Sequence, residues 1–248
     1  MKKKYGLIGY PLEHSFSKDF FNRKFMSENV DAEYLNFQIG SVRELGNVLR
    51  ENPLLCGLNV TLPYKTQVMA LLDELDGDAR TVGAVNVIKF VKGRFGRRKL
   101  KGYNSDIIGF RQSVAALLDG SQRSALVLGT GGAAKAVVRG LEQLGVTPLP
   151  VSRTKKEGCL TYGELTPRIM EQNTVIVNTT PVGMYPNVGQ RPDIPYDLLT
   201  PGHLLYDLLY NPDETAFLRA GKERGCTVKN GLEMLILQAY ESWKIWNM

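Results

Sequence analysis

At 248 residues, 43% apolar and 23% charged, the chain has the make-up of a globular protein in one large domain or two modest ones, not of a disordered segment. No apolar stretch approaches the roughly 20 residues of a membrane span, and the basic start is too short in apolar residues for a signal peptide, so a cytoplasmic location and no membrane partner are expected. The net charge of +6 leaves room for an anionic partner.

In chain order, Tyr5–Gly9 reads as a short buried strand and Ser17–Met26 as a helix with Phe20, Phe21 and Phe25 on its apolar face. Tyr34–Phe37 is strand-like, Val42–Arg50 helical and Leu55–Val60 a strand. Pro63 suits the first turn of a helix running through Leu72. Ala84–Phe90 and the run to Tyr103 form a hairpin, which carries much of the positive charge between Lys89 and Lys101. No helix-turn-helix, zinc-finger or aromatic stacking pattern accompanies that charge. It reads as a solvated face, and no nucleic-acid partner is expected.

A helix over Asp106–Leu118 leads into a second run of elements. Its strands are Ala125–Leu128, Pro148–Val151, Thr174–Asn178 and Leu204–Asp207, with a helix from Ala133 to Leu144. Strands separated by helices imply an α/β fold with a mostly parallel sheet covered on both faces. The tail, Gly231–Trp246, is an amphipathic helix. Cys56, Cys159 and Cys226 lie far apart and read as buried free thiols, and two histidines make no metal centre.

Two stretches carry chemistry. In the turn Gly129-Thr130-Gly131-Gly132-Ala133, between strand and helix, the glycines allow close backbone approach to a pyrophosphate seated on the N–H groups of the helix start. About twenty residues on, an NAD site would carry an acid for the ribose 2′-hydroxyl. This chain has Ser152-Arg153-Thr154-Lys155-Lys156 and no acid before Glu157. A guanidinium grips a 2′-phosphate in bidentate fashion, so NADP(H) is the expected cofactor.

The other stretch is Asn59-Val60-Thr61-Leu62-Pro63-Tyr64-Lys65. Asn59 and Asn86 each sit between apolar residues on a strand, and a buried amide without partners costs about 1–3 kcal/mol. Backbone groups would satisfy them equally well. With Thr61, Lys65 and Asp106 they would suit a polyhydroxylated acid, and the hydroxyls of Ser15 and Ser17 stand before a helix where a carboxylate is favoured. Helix capping is the ordinary use of Ser17. Lys65, with Asp106 to orient it, is the candidate to exchange a proton during hydride transfer, although such a pair is more often a surface ion pair.

Taken together and in order, His14-Ser15-Phe16-Ser17, the Asn59–Lys65 stretch, Gly83–Asn86, Gly102–Asp106, Gly129–Val137, Asn178–Met184, Tyr206–Tyr210 and Gly231–Leu235 resemble the shikimate dehydrogenase family along essentially the whole chain. The resemblance implies reversible, NADPH-dependent reduction of 3-dehydroshikimate to shikimate. It also implies an N-terminal α/β substrate domain (1–105), a Rossmann-type doubly wound dinucleotide-binding domain (106–231) and a C-terminal helix (232–248) returning to the first domain. By that likeness Ser15 and Ser17 hold the substrate carboxylate. Asn59, Thr61, Asn86 and Asp106 contact ring hydroxyls, Lys65 is the acid/base, and Tyr210 and Gln238 complete the pocket. Thr180 joins the cofactor site, and Leu208 and Gly231 lie near the nicotinamide.

Several residues depart from the family pattern. Lys18 stands where proline is usual, Ile107 where glycine is usual, and Ser152 where asparagine is usual. Gly77 replaces a residue that is often acidic, and Leu208 one that is often methionine. Two alternatives stay open: a quinate/shikimate dehydrogenase of broader specificity, and a non-catalytic NADP-sensing protein on the same scaffold. Monomer and homodimer are equally open.

Overall fold

The first strand, β1 (Lys3–Gly9), is buried from Tyr5 onward and lies between β2 (Ala32–Gln38) and β3 (Leu55–Val60), parallel to both. The computed structural model describes residues 2–13, 15–93 and 98–248, and its chain divides into two units, residues 1–105 with 239–248, and residues 106–238.

In the first unit, β5 (Val87–Lys92) and β6 (Arg98–Tyr103) form the expected hairpin, and β5 pairs antiparallel with β3. A two-residue strand β4 (Glu74–Leu75) closes the order β2-β1-β3-β5-β6-β4. One face of the sheet packs Ile8, Leu58, Val60 and Ile88 against α2 (Leu45–Glu51), Tyr64 and Val68. The other packs Tyr5, Leu7, Tyr34 and Val87 against α1 (Phe16–Ser27) and the end of the C-terminal helix. The helix expected from Pro63 does not form. Pro63 lies in a turn, and only a short 3₁₀ segment, Gln67–Leu71, follows. Tyr64 explains why: its ring is buried and its hydroxyl donates to the Ile39 carbonyl at 2.6 Å, fixing the segment to the sheet. Asp73 N–H is then taken by Leu100 O, turning the chain toward the sheet edge. A short helix, α3 (Gly77–Val82), lies beyond the reading of the sequence, although Asp76 caps its start and Gly83, with φ of 65°, ends it.

The tip of the basic hairpin, residues 94–97, lies outside the described residues. Of the flanking cations, Lys99 pairs with Glu74 at 3.0 Å, the Arg98 guanidinium lies 3.8 Å from the centroid of the Phe90 ring, and Lys89 donates to the Met248 carbonyl.

In the second unit α4 (Asp106–Ala115) precedes β7 (Ser124–Leu128), α5 (Gly132–Gln143), β8 (Thr147–Ser152) and β9 (Leu160–Thr161). Then come α6 (Pro167–Gln172), β10 (Val175–Asn178), β11 (Leu204–Asp207), α7 (Ala216–Glu223) and β12 (Thr227–Lys229). The six strands, in the order β12-β11-β10-β7-β8-β9, all run parallel. Val127, Val177 and Tyr206 face Phe110 and Val137, while Leu126, Ile176 and Leu205 face Phe217 and Leu218. The sheet is thus covered on both sides, and the order reverses direction between β7 and β10. In such sheets ligands bind beyond the strand C-termini at that reversal.

The last helix, α8 (Leu232–Asn247), begins in the second unit and ends in the first. Trp246 sits in the first unit's core, with ring centroids 4.8 Å from Tyr5 and 5.3 Å from Phe21, and its Nε1 donates to Ile88 O at 3.2 Å. Gly57 makes that seat possible, because a Cβ there would lie 2.4 Å from the indole. Alanine normally stabilises a strand relative to glycine. Here the sign reverses, and Gly57→Ala is expected to lower the unfolding free energy by about 1–3 kcal/mol in a urea titration.

Candidate active site

Two asparagines open the site of the first unit. Asn59 and Asn86 are buried, and both are satisfied by the protein itself. Asn59 accepts from the Tyr34 hydroxyl at 2.7 Å and donates to Asn86 O at 3.2 Å and Ser242 Oγ at 3.0 Å. Asn86 donates to Ser105 Oγ at 3.0 Å and accepts from Ser105 N at 2.7 Å. Ser105 and Ser242 hydroxyls meet at 3.1 Å. The cost of burying these amides therefore falls to internal partners, and Asn59 keeps for a ligand only the second lone pair of its carbonyl oxygen. Tyr34, Ser105 and Ser242 were not singled out from the sequence. A serine on the apolar face of α8 was the available signal.

Ser15, not Ser17, stands at the N-cap of α1, and its side chain makes no capping bond. Among the described residues the buried Ser15 hydroxyl has no hydrogen-bond partner, an uncommon state in a folded protein and one that leaves its capacity for a ligand. Ser17, in the first turn, places its hydroxyl at the Tyr34 phenol; burial holds that phenol well above its usual range and this hydrogen bond draws it part of the way back. His14 lies outside the described residues. Thr61 follows β3, its N–H on Ile8 O at 2.9 Å, and Lys65 is half-buried with its carbonyl accepting Val85 N at 2.7 Å. Asp106 is buried as the first residue of α4 in the second unit.

The glycine turn follows β7 at the point where the strand order reverses. Gly129 has φ of 112°, and a Cβ on it would lie 2.6 Å from Thr179 Oγ1. Gly131 is the N-cap of α5 with no side-chain capping bond, and nothing lies within 4 Å of where its Cβ would be. Gly132 and Ala133 begin the helix. This twelve-residue helix thus starts without a capping side chain and with open space at Gly131, an arrangement suited to an anion on its first N–H groups.

Beside the turn, Gly129 N donates to Val151 O at 2.9 Å, which puts the end of β8 next to it. Ser152 is buried and receives Thr154 N at 3.4 Å, while Arg153 is exposed. Lys155 pairs with Glu164 at 2.6 Å, which engages its ammonium elsewhere. Lys156, not singled out from the sequence, reaches the turn instead, donating to Thr130 Oγ1 at 2.9 Å. Adjacent lysines on an exposed loop look alike in sequence, so only the fold tells which one faces the turn.

The strand ends of β10 and β11 hold a second polar group. Asn178 Oδ1 accepts from Thr180 N at 3.0 Å and Thr180 Oγ1 at 2.7 Å, and Asn178 Nδ2 donates to Asp207 Oδ1 at 3.0 Å. Asp207 also accepts from Leu209 N at 3.0 Å and from Thr215 Oγ1 at 2.7 Å. Leu208 N donates to Asn178 O, and Gly231 N to Leu209 O, both at 2.9 Å. A Cβ on Gly231 would lie 2.1 Å from Leu208 O, so only glycine fits there. Tyr210 is partly exposed, with its phenol pushed up by burial. Gln238 is buried on α8, its amide donating to Leu235 O at 2.9 Å, and its backbone abuts Gly109 of α4.

Among the described residues no group of histidine, cysteine and acidic side chains is arranged to hold a metal, and no helix is long and apolar enough to cross a membrane. The three cysteines are free, but only Cys226 is buried; Cys56 and Cys159 are half-exposed, contrary to the expectation for all three.

A doubly wound parallel sheet with a glycine turn at its reversal point, preceded by a separate α/β unit, defines the architecture of a two-unit dinucleotide-dependent dehydrogenase. Residues 7–88 match the family model described as the shikimate dehydrogenase substrate binding domain. The chain is 35% identical over 264 residues to the shikimate dehydrogenase (NADP(+)) of Desulforamulus reducens, covering 97% of this chain and 88% of that relative. It is similar to the crystal structure of shikimate dehydrogenase from Aquifex aeolicus, with a TM-score of 0.87 and 35% identity, over 99% of this chain and 92% of the other. The shikimate 5-dehydrogenase of Thermus thermophilus, solved with NADP(H) and shikimate, gives a TM-score of 0.86 at 28% identity, over 98% and 93%. The chain belongs to the shikimate dehydrogenase family.

Burial raises the Asp207 carboxyl from its ordinary 3.8 to about 6, against the opposing pull of its three donors. The folded state thus binds this proton more tightly than the unfolded chain, and the resulting stabilisation is complete below pH ~4 and gone above pH ~6. The unfolding free energy of the parent minus that of Asp207→Asn is expected to fall by up to ~1.4 kcal/mol per pH unit across that window and to level off above pH ~7. Urea titrations at successive pH values measure it.

Proposed function

We propose that the chain catalyses the reversible, NADP(H)-dependent interconversion of 3-dehydroshikimate and shikimate. What carries the reading is the likeness, over almost the whole chain, to relatives named as NADP(+) shikimate dehydrogenases. The geometry adds the cofactor preference. The tip of β8 presents Arg153 and Lys156 beside the glycine turn, with no acid between residues 152 and 156 to meet a free 2′-hydroxyl.

The residues present fit a dinucleotide. The uncapped start of α5 and the open space at Gly131 would take the pyrophosphate, with Gly129, Thr130, Gly132, Ala133 and Lys156 around it. Ser152, Arg153, Thr154 and Lys155 form the adenosine side, and Thr180, Leu208 and Gly231 the nicotinamide side. Bound there, the cofactor supplies or takes up the hydride.

In this reading the buried Ser15 hydroxyl finds its missing partner in the substrate carboxylate, with Ser17 beside it and the start of α1 adding a favourable field. Asn59, Thr61, Asn86, Tyr210 and Gln238 address the ring hydroxyls. Lys65 gives or takes the hydroxyl proton as the C–H bond breaks or forms, and Asp106 is the carboxylate that partners it. The domain roles follow: substrate in residues 1–105 completed by 232–248, cofactor in 106–231. The chain keeps both Lys65 and Asp106, which argues against a silent sensor. The place of action that goes with a biosynthetic dehydrogenase is the cytoplasm.

Initial rates with shikimate and quinate against NADP+ and NAD+ test the reading. Shikimate with NADP+ should lead, with kcat/KM at least ~10-fold above the NAD+ reaction. Quinate with NAD+ performing equally would overturn it. Lys65→Ala should lower kcat by about 10²–10⁴ with little change in the KM for shikimate, and near-normal turnover would remove Lys65 from the mechanism. Arg153→Ala should weaken NADP+ about 10-fold or more and leave NAD+ nearly unchanged; equal losses would refute the 2′-phosphate assignment.

A further inference from the structure

We propose that Asp207 is a positioning residue for the nicotinamide half of the cofactor: its carboxylate clasps the ends of β10 and β11 and so fixes the loops that carry Thr180 and Leu208. The inference rests on the reading that these two residues and Gly231 face the nicotinamide.

Asp207, Asn178 and Thr215 are each fully buried, so none of them meets a ligand from solvent directly. Their action has to pass through what they hold. Asn178 is the bridge. Its carbonyl oxygen gathers Thr180 N and Oγ1, its amide donates to Asp207, and its backbone oxygen takes Leu208 N. Asp207 then reaches in two further directions, accepting from Leu209 N on the same loop and from Thr215 Oγ1 at the start of α7, where that hydroxyl also caps Leu218 N. On its far side the loop is fastened by Gly231, whose N–H binds Leu209 O and whose bare Cα lets Leu208 O approach. Leu208 and Leu209 are thus held from both flanks, and Thr180 hangs from the same asparagine.

A buried carboxylate with no cation among its hydrogen-bond partners is a costly choice for mere packing, since an apolar residue would avoid the desolvation. All three partners of Asp207 donate to it, and a carboxylate is the one side chain of this size that accepts from every direction. Asparagine answers most of this demand: its carbonyl can face Asn178 and Leu209 while its amide donates to Thr215 Oγ1. Alanine answers none of it. A misplacement of about 1 Å in a group that orients reactants can cost about 10²-fold in rate, so loosening these loops should register at the cofactor.

The test compares NADP+ with 2′-phospho-ADP-ribose, which lacks the nicotinamide, by isothermal titration on the full-length protein, together with steady-state kinetics. Asp207→Ala should raise the Kd for NADP+ about 10-fold or more while changing that for 2′-phospho-ADP-ribose less than about 2-fold. Its kcat should fall at least ~10-fold with little change in the KM for shikimate, and Asp207→Asn should return both readouts to within about 3-fold of the parent. Equal weakening of both ligands, or a folded Asp207→Ala with parental NADP+ affinity and kcat, would overturn the proposal. If Asp207→Ala does not fold, Thr215→Val against Thr215→Ser decides on the same readouts, with serine expected to keep the parental selectivity between the two ligands and valine to lose it. A parent protein that fails to oxidise shikimate with NADP+ would instead sink the proposed function, before any variant is made.

Discussion

The indole of Trp246 occupies the space that a side chain on Gly57 would fill, and much of the first unit depends on that contact. It lets the end of α8 lie directly on the sheet, where Trp246 joins Tyr5, Phe21 and Phe25 in one aromatic cluster. The same placement brings Ser242, one turn earlier, to Asn59 and Ser105. A hydrophobic seat thus fixes a polar row: Tyr34, Asn59, Ser242, Ser105 and Asn86 hold one another in register across elements that are far apart in sequence. Side chains constrained this tightly present their remaining hydrogen-bonding capacity at fixed positions, which is what a small, hydroxyl-rich ligand requires.

The second unit works by a different constraint. Its parallel strands all end on one side, so polar residues at their C-termini, Ser152, Asn178 and Asp207, gather where the strand order reverses. The glycine turn supplies backbone donors there, and the basic tip of β8 supplies charge. Residues 152–156 there carry three cations and no carboxylate.

Most of the regular structure was legible in the residues. Strands such as Leu55–Val60 and Ala125–Leu128 announce themselves by short apolar runs, and α1 and α8 by their apolar faces. What escaped was short: α3, α6, β9 and β12 span too few residues for periodicity to show, and α7 escaped although Phe217, Leu218, Ala220 and Gly221 give its eight residues an apolar face. Their caps were readable, as Asp76, Thr166 before Pro167, and Thr215. Pro63 misled because the rule for proline at a helix start says nothing of Tyr64, whose buried ring decides the path instead. At the site, the glycine turn and the acid-free basic stretch could be read directly. The partner of Asn59 could not, because Ser242 lies 183 residues away, nor could the choice between Lys155 and Lys156, which follows from where Glu164 sits.

Residues 239–248 complete the core of the first unit, yet they follow the whole of the second in the chain. During synthesis the unit made earlier is therefore finished later: one face of its sheet has α1 as its cover but lacks the end of α8 until the residues that follow the second unit are made. A nascent chain stalled short of Trp246 would leave Tyr5 and Phe21 without the indole that packs on both, an apolar patch open to other chains until the last residues arrive.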